Sequence, residues 1–232
     1  MSAMRPPIPP GLLEKAREYA EGDRVPATPR DAATVLLLRD GVSGPEVFMM
    51  VRRRSMAFAA GMAVFPGGGV DERDRAEQAA TSAYSARMGC TEQEAGALIR
   101  AAVRELEEES GVTVSAADLG LWDAWTTPLF EPRRYRTWFF TARLPEGESA
   151  EEMSTESSSV AWVSAADALA RVRSGEWTMM PPTYVSCLRL ATFDSVDAVM
   201  AATREAVVEM FMPELAGDTL TSPAWAASLL EP

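Results

Sequence analysis

The sequence predicts an α+β fold, a mixed β-sheet packed between helices, and three features predict it. The apolar run Ala32-Ala33-Thr34-Val35-Leu36-Leu37-Leu38 reads as a buried strand. A helix is bracketed by Thr91-Glu92-Gln93-Glu94, in which Thr91 and Glu94 fit the N-cap and N3 roles of a capping box, and by Gly111 as a C′ glycine. Strand-like and helix-like segments then mix without regular βαβ alternation, which is the pattern of a mixed sheet rather than a parallel one.

Taken in order, residues 1–30 form an arm in which a short amphipathic stretch, Leu12 to Ala20, lies between proline-rich segments. Gly41-Val42-Ser43-Gly44-Pro45 separates the first strand from a second at Glu46 to Arg52, giving an antiparallel hairpin with a longish loop. Met62 to Phe65 is a short strand stopped by Pro66-Gly67-Gly68-Gly69. Residues 70–90 are polar and read as an inserted loop or small helical excursion. The capped helix follows, with Leu98, Ile99, Ala102, Val103 and Leu106 as its apolar stripe. Strands are expected at Leu119–Thr126, Tyr135–Ala142 and Val160–Val163, with an acidic, serine-rich loop over 145–159. Ser164 caps a helix through Arg173, Pro181-Pro182-Thr183 opens another, and Asp194 or Ser195 caps a last one reaching about Met210.

At 232 residues the chain is expected to be one elaborated domain over 31–215, with a tail over 216–232. No apolar run is long enough to span a membrane, and residues 1–10 lack the apolar core of a secretory signal, so a cytoplasmic protein is expected. Cys90 and Cys187 read as free thiols. The net charge of −12 argues against a nucleic-acid backbone binder. With no histidine, an imidazole base, a Ser-His-Asp triad and a histidine zinc site are excluded. Lys15 is the single lysine and lies in the arm, so acid–base and metal chemistry falls to carboxylates.

Those carboxylates cluster. Glu105, Glu107, Glu108 and Glu109 occupy five positions, and Glu105, Glu108 and Glu109 share one helical face. Like charges at that spacing repel by a few tenths of a kcal/mol per pair. They also stand in the last helical turn, where the macrodipole disfavours negative charge by about 0.3–1 kcal/mol. A hard divalent cation such as Mg²⁺ or Mn²⁺ explains the arrangement; a solvated acidic helix end is the plain alternative.

Arg104-Glu105-Leu106-x-Glu108-Glu109-x-Gly111-Val112 resembles the second half of the Nudix box, Gly-x5-Glu-x7-Arg-Glu-U-x-Glu-Glu-x-Gly-U, with U a bulky aliphatic residue. The first half departs: Gly96 stands eight residues before Arg104, where the family has its outer glutamate, and Gly67-Gly68 lies further upstream across the 70–90 insertion. Glu94 and Glu92 are the candidate replacements. Phe65-Pro66-Gly67-Gly68, Trp125-x-Thr127-Pro128, Pro132-Arg133-Arg134-Tyr135-x-Thr137-x-Phe139-Phe140 and Pro181-Pro182-Thr183 resemble a long-insert branch that includes a peroxisomal coenzyme A diphosphatase. Of the longer element Arg-Ser-x3-Arg-x3-Gly-x3-Phe-Pro-Gly-Gly found in coenzyme A-cleaving relatives, Gly61 fits. Ala57 occupies the second arginine slot, and Arg52, Arg53, Arg54 and Ser55 are out of register.

The resemblance implies a Nudix fold, an α/β/α sandwich with extra C-terminal helices, and a metal-dependent pyrophosphohydrolase. Its substrate would be a nucleoside diphosphate linked to another moiety, coenzyme A or an acyl ester first, with NADH, ADP-ribose and nucleoside triphosphates as alternatives. A non-catalytic nucleotide-binding module is the rival. Glu105, Glu108 and Glu109 would hold Mg²⁺ or Mn²⁺, and Arg104 would orient a box glutamate. Arg52, Gly67, Gly68, Arg133 and Arg134 are the candidate substrate contacts. The base would be Glu109, Glu105 or a residue among Glu146–Glu156. The partner is a small nucleotide-type diphosphate, with neither nucleic acid nor membrane, and a homodimer is the oligomeric candidate because many relatives pair.

Overall fold

Strand β1 (Arg30–Gly41) is the spine of the sheet. Its side chains alternate between two separate cores, Val35 and Leu37 on one face and Leu36 and Leu38 on the other, the period-2 pattern of a strand covered on both sides. The computed structural model describes residues 11–22, 24–53, 59–75, 82–151, 153 and 157–230.

Around β1 the sheet runs β3 (Ala63–Val64), β2 (Gly44–Arg52), β1, β6 (Tyr135–Arg143), β5 (Gly120–Thr126), with β4 (Gly67–Gly69) also on β1 and β7 (Ser157–Ser164) also on β2. The β1–β6 pair is parallel and the other pairs antiparallel, so the sheet is mixed as expected. Two boundaries differ from expectation. Gly41 pairs with Gly44, which leaves a two-residue turn, Val42-Ser43, in place of a longish loop; Gly44 adopts φ 118°, a value glycine tolerates. Strand β7 starts at Ser157, inside the expected loop, because Ser157 pairs with Arg52 across a register shift in β2.

One face of the sheet is covered by α4 (Glu92–Ser110), whose Ala95, Leu98, Ile99, Ala102 and Leu106 enter the core. The expected capping box forms, and Gly111 closes the helix at φ 74°. Residues ahead of α4 hold two short helices, α2 (Glu72–Arg75) and α3 (Ser82–Met88). The other face is covered by α5 (Ala165–Arg173), α6 (Pro181–Leu190) and α7 (Val196–Arg204). Ser164 and Ser195 cap α5 and α7 through their hydroxyls, and Pro181 and Pro182 occupy the first turn of α6. The fully buried Trp122, Phe48 and Phe140 anchor these layers at about 1.5–3 kcal/mol each.

Helix α7 ends at Arg204, short of the expected Met210. The reason is a competing partner: the N–H of Thr126 donates to the Phe211 carbonyl at 2.7 Å and the N–H of Phe211 to the Ala124 carbonyl at 2.9 Å. Phe211 thereby bridges Trp125 in parallel at the β5 edge. A small hairpin, β8 (Leu215–Ala216) and β9 (Thr219–Leu220), and α8 (Ala227–Leu230) follow. At the other terminus α1 (Leu12–Ala20) forms within the expected arm. Cys90 and Cys187 are free thiols. Among the described residues no helix is long and apolar enough to cross a membrane.

Candidate functional site

The last turn of α4 meets β4, and two glycines set how closely. Strand β4 pairs with β1 through Thr34–Gly67, Ala33–Gly68 and Ala32–Gly69. Thr34 Oγ1 donates to the Pro66 carbonyl at 2.7 Å and fixes the entry to this strand. The N–H of Gly67 donates to Glu109 Oε2 at 2.7 Å. A Cβ at Gly67 would sit 2.5 Å from the Ala33 carbonyl oxygen and 2.6 Å from Thr34 Cα, while one at Gly68 would overlap the Glu105 carboxylate. Gly67 therefore needs glycine against fixed backbone, while a side chain at Gly68 would push the Glu105 carboxylate from its place. Glu109 is buried, and burial pushes the Glu105 carboxyl above its ordinary value, with the Arg104 guanidinium pulling back only part of the shift.

Arg104 organises this face. Its Nη1 reaches Glu105 Oε1 at 2.6 Å and Glu108 Oε2 at 3.3 Å, and its Nη2 donates to the Gly69 carbonyl at 2.9 Å. Asp74 receives the same guanidinium in a bidentate grip, 2.8 Å from Nη2 to Oδ2 and 3.1 Å from Nε to Oδ1. A further arginine, Arg73, donates to Glu108 Oε1 at 2.8 Å. Asp74 is buried, which works against its charge. The Arg104 side chain and the N–H of Asp71 outweigh that and hold its carboxyl below the ordinary value, while Asp74 and Glu105 fix Arg104 more firmly in its charged form.

Asp74 is the acid that the sequence reading missed. It follows Gly68 by six residues, so the glycine-x5-acid step of the first half-motif is intact with aspartate for glutamate, and the inserted chain follows that acid rather than preceding it. Glu94 is spent in the capping box, its carboxyl held down by the Thr91 N–H. At Gly96 the neighbouring Arg100 guanidinium fills the space, 3.3 Å from where a Cβ would lie.

A cavity of about 1150 Å³ opens onto this face, with Gly67, Gly68, Glu105, Glu108 and Glu109 in its wall. Arg52, Arg133 and Arg134 also line it. Arg134 is buried and spent on the chain itself, donating to the carbonyls of Thr127 at 3.0 Å and Ala27 at 2.8 Å, with Met212 Sδ at 3.4 Å from Nη2. Trp125 is buried in the wall with its Nε1–H on Asp123 Oδ2 at 2.6 Å, and Trp138 is buried in the core. Of the loop over 146–156, Met153 lines the cavity and its N–H donates to the Glu109 carbonyl at 3.3 Å, whereas Glu146, Glu148 and Glu151 are not part of the lining. Glu152 and Glu156, together with Arg54, Ser55 and Ala57 of the longer arginine element, lie outside the described residues. Among the described residues, no three Asp, Glu, His or Cys side chains converge on one metal-sized point; Arg73 and Arg104 pair the carboxylates instead.

Residues 90–181 match the sequence model of the NUDIX domain. Residues 90–181 are thus similar to a NUDIX domain. That match starts after Gly67, Gly68 and Asp74, which join the site through the fold. A putative nudix hydrolase 7 of Caenorhabditis elegans is 25% identical over 72% of this chain and 62% of its own length. The chain thus spans about three fifths of the curated relative that it matches. The crystal structure of a NUDIX hydrolase from Alicyclobacillus acidocaldarius shares the fold at a TM-score of 0.65, with 22% identity over 78% of this chain and 98% of that one. The NUDIX domain of Shewanella oneidensis NrtR, solved with ADP ribose, is similar at a TM-score of 0.50, with 16% identity over 76% of this chain and 96% of that one.

Proposed function

We propose that the chain is a metal-dependent hydrolase of the pyrophosphate bond in a nucleoside diphosphate linked to a second moiety. The observation that carries this reading is the joining of Gly67, Gly68 and Asp74 to Arg104, Glu105, Glu108 and Glu109, with the two glycines and three glutamates lining one large cavity. The donor set suits a hard divalent ion, Mg²⁺ or Mn²⁺: Glu105, Glu108 and Glu109 all offer carboxylate oxygens, and Arg73 and Arg104 balance the charge of Glu105 and Glu108. The ion would supply charge neutralisation on phosphate oxygens and activation of water.

The remaining steps belong to side chains. Asp74 holds Arg104, and Arg104 holds Glu105 and Glu108 in place. The Gly67 N–H fixes the Glu109 carboxylate. Glu105 and Glu109, both in the cavity wall, are the candidate bases of this face. Arg52 and Arg133 line the cavity and would meet phosphate or ribose oxygens.

Within this class, coenzyme A and its acyl esters remain the first substrates to assay, followed by NADH, ADP-ribose and nucleoside triphosphates. ADP-ribose draws support from the ligand named for the Shewanella domain. The test is a mass-spectrometric screen of these compounds with Mg²⁺ or Mn²⁺. Paired phosphomonoester products from at least one diphosphate are expected. Nucleotide binding with no product from any of them would replace the enzyme reading with a binding module.

A further inference from the structure

The cavity has a second end, and the chain's terminal segments build it. Leu12 and Ala27 from the N-terminal side and Pro213 and Leu220 from the C-terminal side line the same space as the glutamates. All four lie outside residues 90–181. The two groups of lining residues enter the cavity from different stretches of chain. Gly67 and Gly68 pair with β1 at Thr34 and Ala33, whereas Ala27 precedes Ala33 by six residues, a reach of up to about 20 Å.

Specific ties hold this end together. Arg134 collects the Ala27 carbonyl, the Thr127 carbonyl and Met212 Sδ on one buried guanidinium, which joins the segment before β1, the β5–β6 loop and the C-terminal segment. Lys15 of α1 pairs with Glu131 at 3.0 Å, and Arg17 with Asp218 in the β8–β9 turn. Phe211 packs edge-on against Trp125 with ring centroids 5.0 Å apart. Leu12, Ala27, Pro213 and Leu220 give this end an aliphatic strip, set among Thr28, Arg30, Thr127, Glu131 and Arg133. A volume of about 1150 Å³ exceeds the roughly 300–1000 Å³ of a drug-sized ligand site, so space remains beyond a nucleotide.

We infer that this terminal wall is a specificity subsite for an aliphatic group carried on the non-nucleoside side of the diphosphate. The inference rests on the proposed hydrolase reading and adds which substituent the site selects. Suitable probes are the methyl, butyl and octyl esters of adenosine 5′-diphosphate. Hydrolysis forms a bond from the oxygen of water to one phosphorus and breaks the P–O–P bridge, whose oxygen leaves with the other phosphoryl group. The products are AMP and an alkyl phosphate, and the protons of water are shared between them and the medium.

With the full chain and Mg²⁺, kcat/KM is expected to rise about threefold per methylene over the first few carbons. In Leu12→Ser and, separately, Leu220→Ser, the octyl-to-methyl ratio is expected to fall at least tenfold. Placing the variants on opposite termini keeps one informative should the other fail to fold. A ratio near one in the wild type, or a ratio unchanged in both variants, would overturn the subsite. If no ester is hydrolysed, the hydrolase reading fails by itself, and calorimetric dissociation constants for the same esters decide the subsite: tightening with chain length upholds it and a flat series rejects it.

Discussion

The two ends of the cavity are held by different forces. At the carboxylate end, strand pairing, a capped helix and a bidentate buried ion pair leave each group one position; Gly67 and Gly68 touch their neighbours with no room for a Cβ. At the terminal end, α1 and the β8–β9 hairpin are fastened by pins. Arg17 and Asp218 are both exposed, Lys15 is half-exposed, and such pairs contribute less than about 1 kcal/mol. The firmer tie there is the buried Arg134, which holds the carbonyls of Ala27 and Thr127. A rigid end suits chemistry and an adaptable one suits choice among substrates.

The largest effect is expected where that rigidity is removed. Asp74→Ala leaves Arg104 without its buried partner and should cost about 3 kcal/mol in denaturant unfolding. A loss under about 1 kcal/mol would mean that Glu105 and Glu108 hold the guanidinium unaided.

A second test lies behind the terminal wall. Burial pushes Asp123 up to about 6, with the Trp125 and Ala124 N–H groups and the Arg189 charge opposing only part of the rise. Because the folded chain binds this proton more tightly than the unfolded chain, stability falls as pH rises from about 4 to 6, by roughly 2–3 kcal/mol in total. Asp123→Asn should remove that slope, read as the difference between the two proteins in urea titrations at several pH values. Parallel curves would show that Asp123 ionises as freely folded as unfolded. The smallest effect is expected at Arg17→Ala: under about 0.5 kcal/mol, so little change in melting temperature. A loss above about 1 kcal/mol would show that this attachment is firmer than an exposed ion pair.

The same contrast governs what the sequence reveals. Strand β1, the caps of α4, α5 and α7 and the Arg104–Val112 half-motif depend on neighbours within a few positions, so local pattern exposes them. Asp74 escaped because its partner Arg104 is 30 residues away and the insertion hides the familiar spacing. The glycine-x5-acid step from Gly68 was the available signal. The end of α7 was misplaced because Phe211 is captured by β5, a tertiary contact without local signature. The terminal wall was invisible for the same reason: nothing in the spacing of Leu12 or Leu220 says that they share a cavity with Glu105.

The most direct test of the central claim is phosphorus NMR of a nucleoside diphosphate ester incubated with the full chain, comparing wild type with Glu108→Gln, each with Mg²⁺ and with chelator. Two phosphomonoester products are expected from the wild type only with the metal, and at least a hundredfold slower release from the variant. Equal release by both proteins, or release by the wild type unaffected by chelator, would contradict that claim.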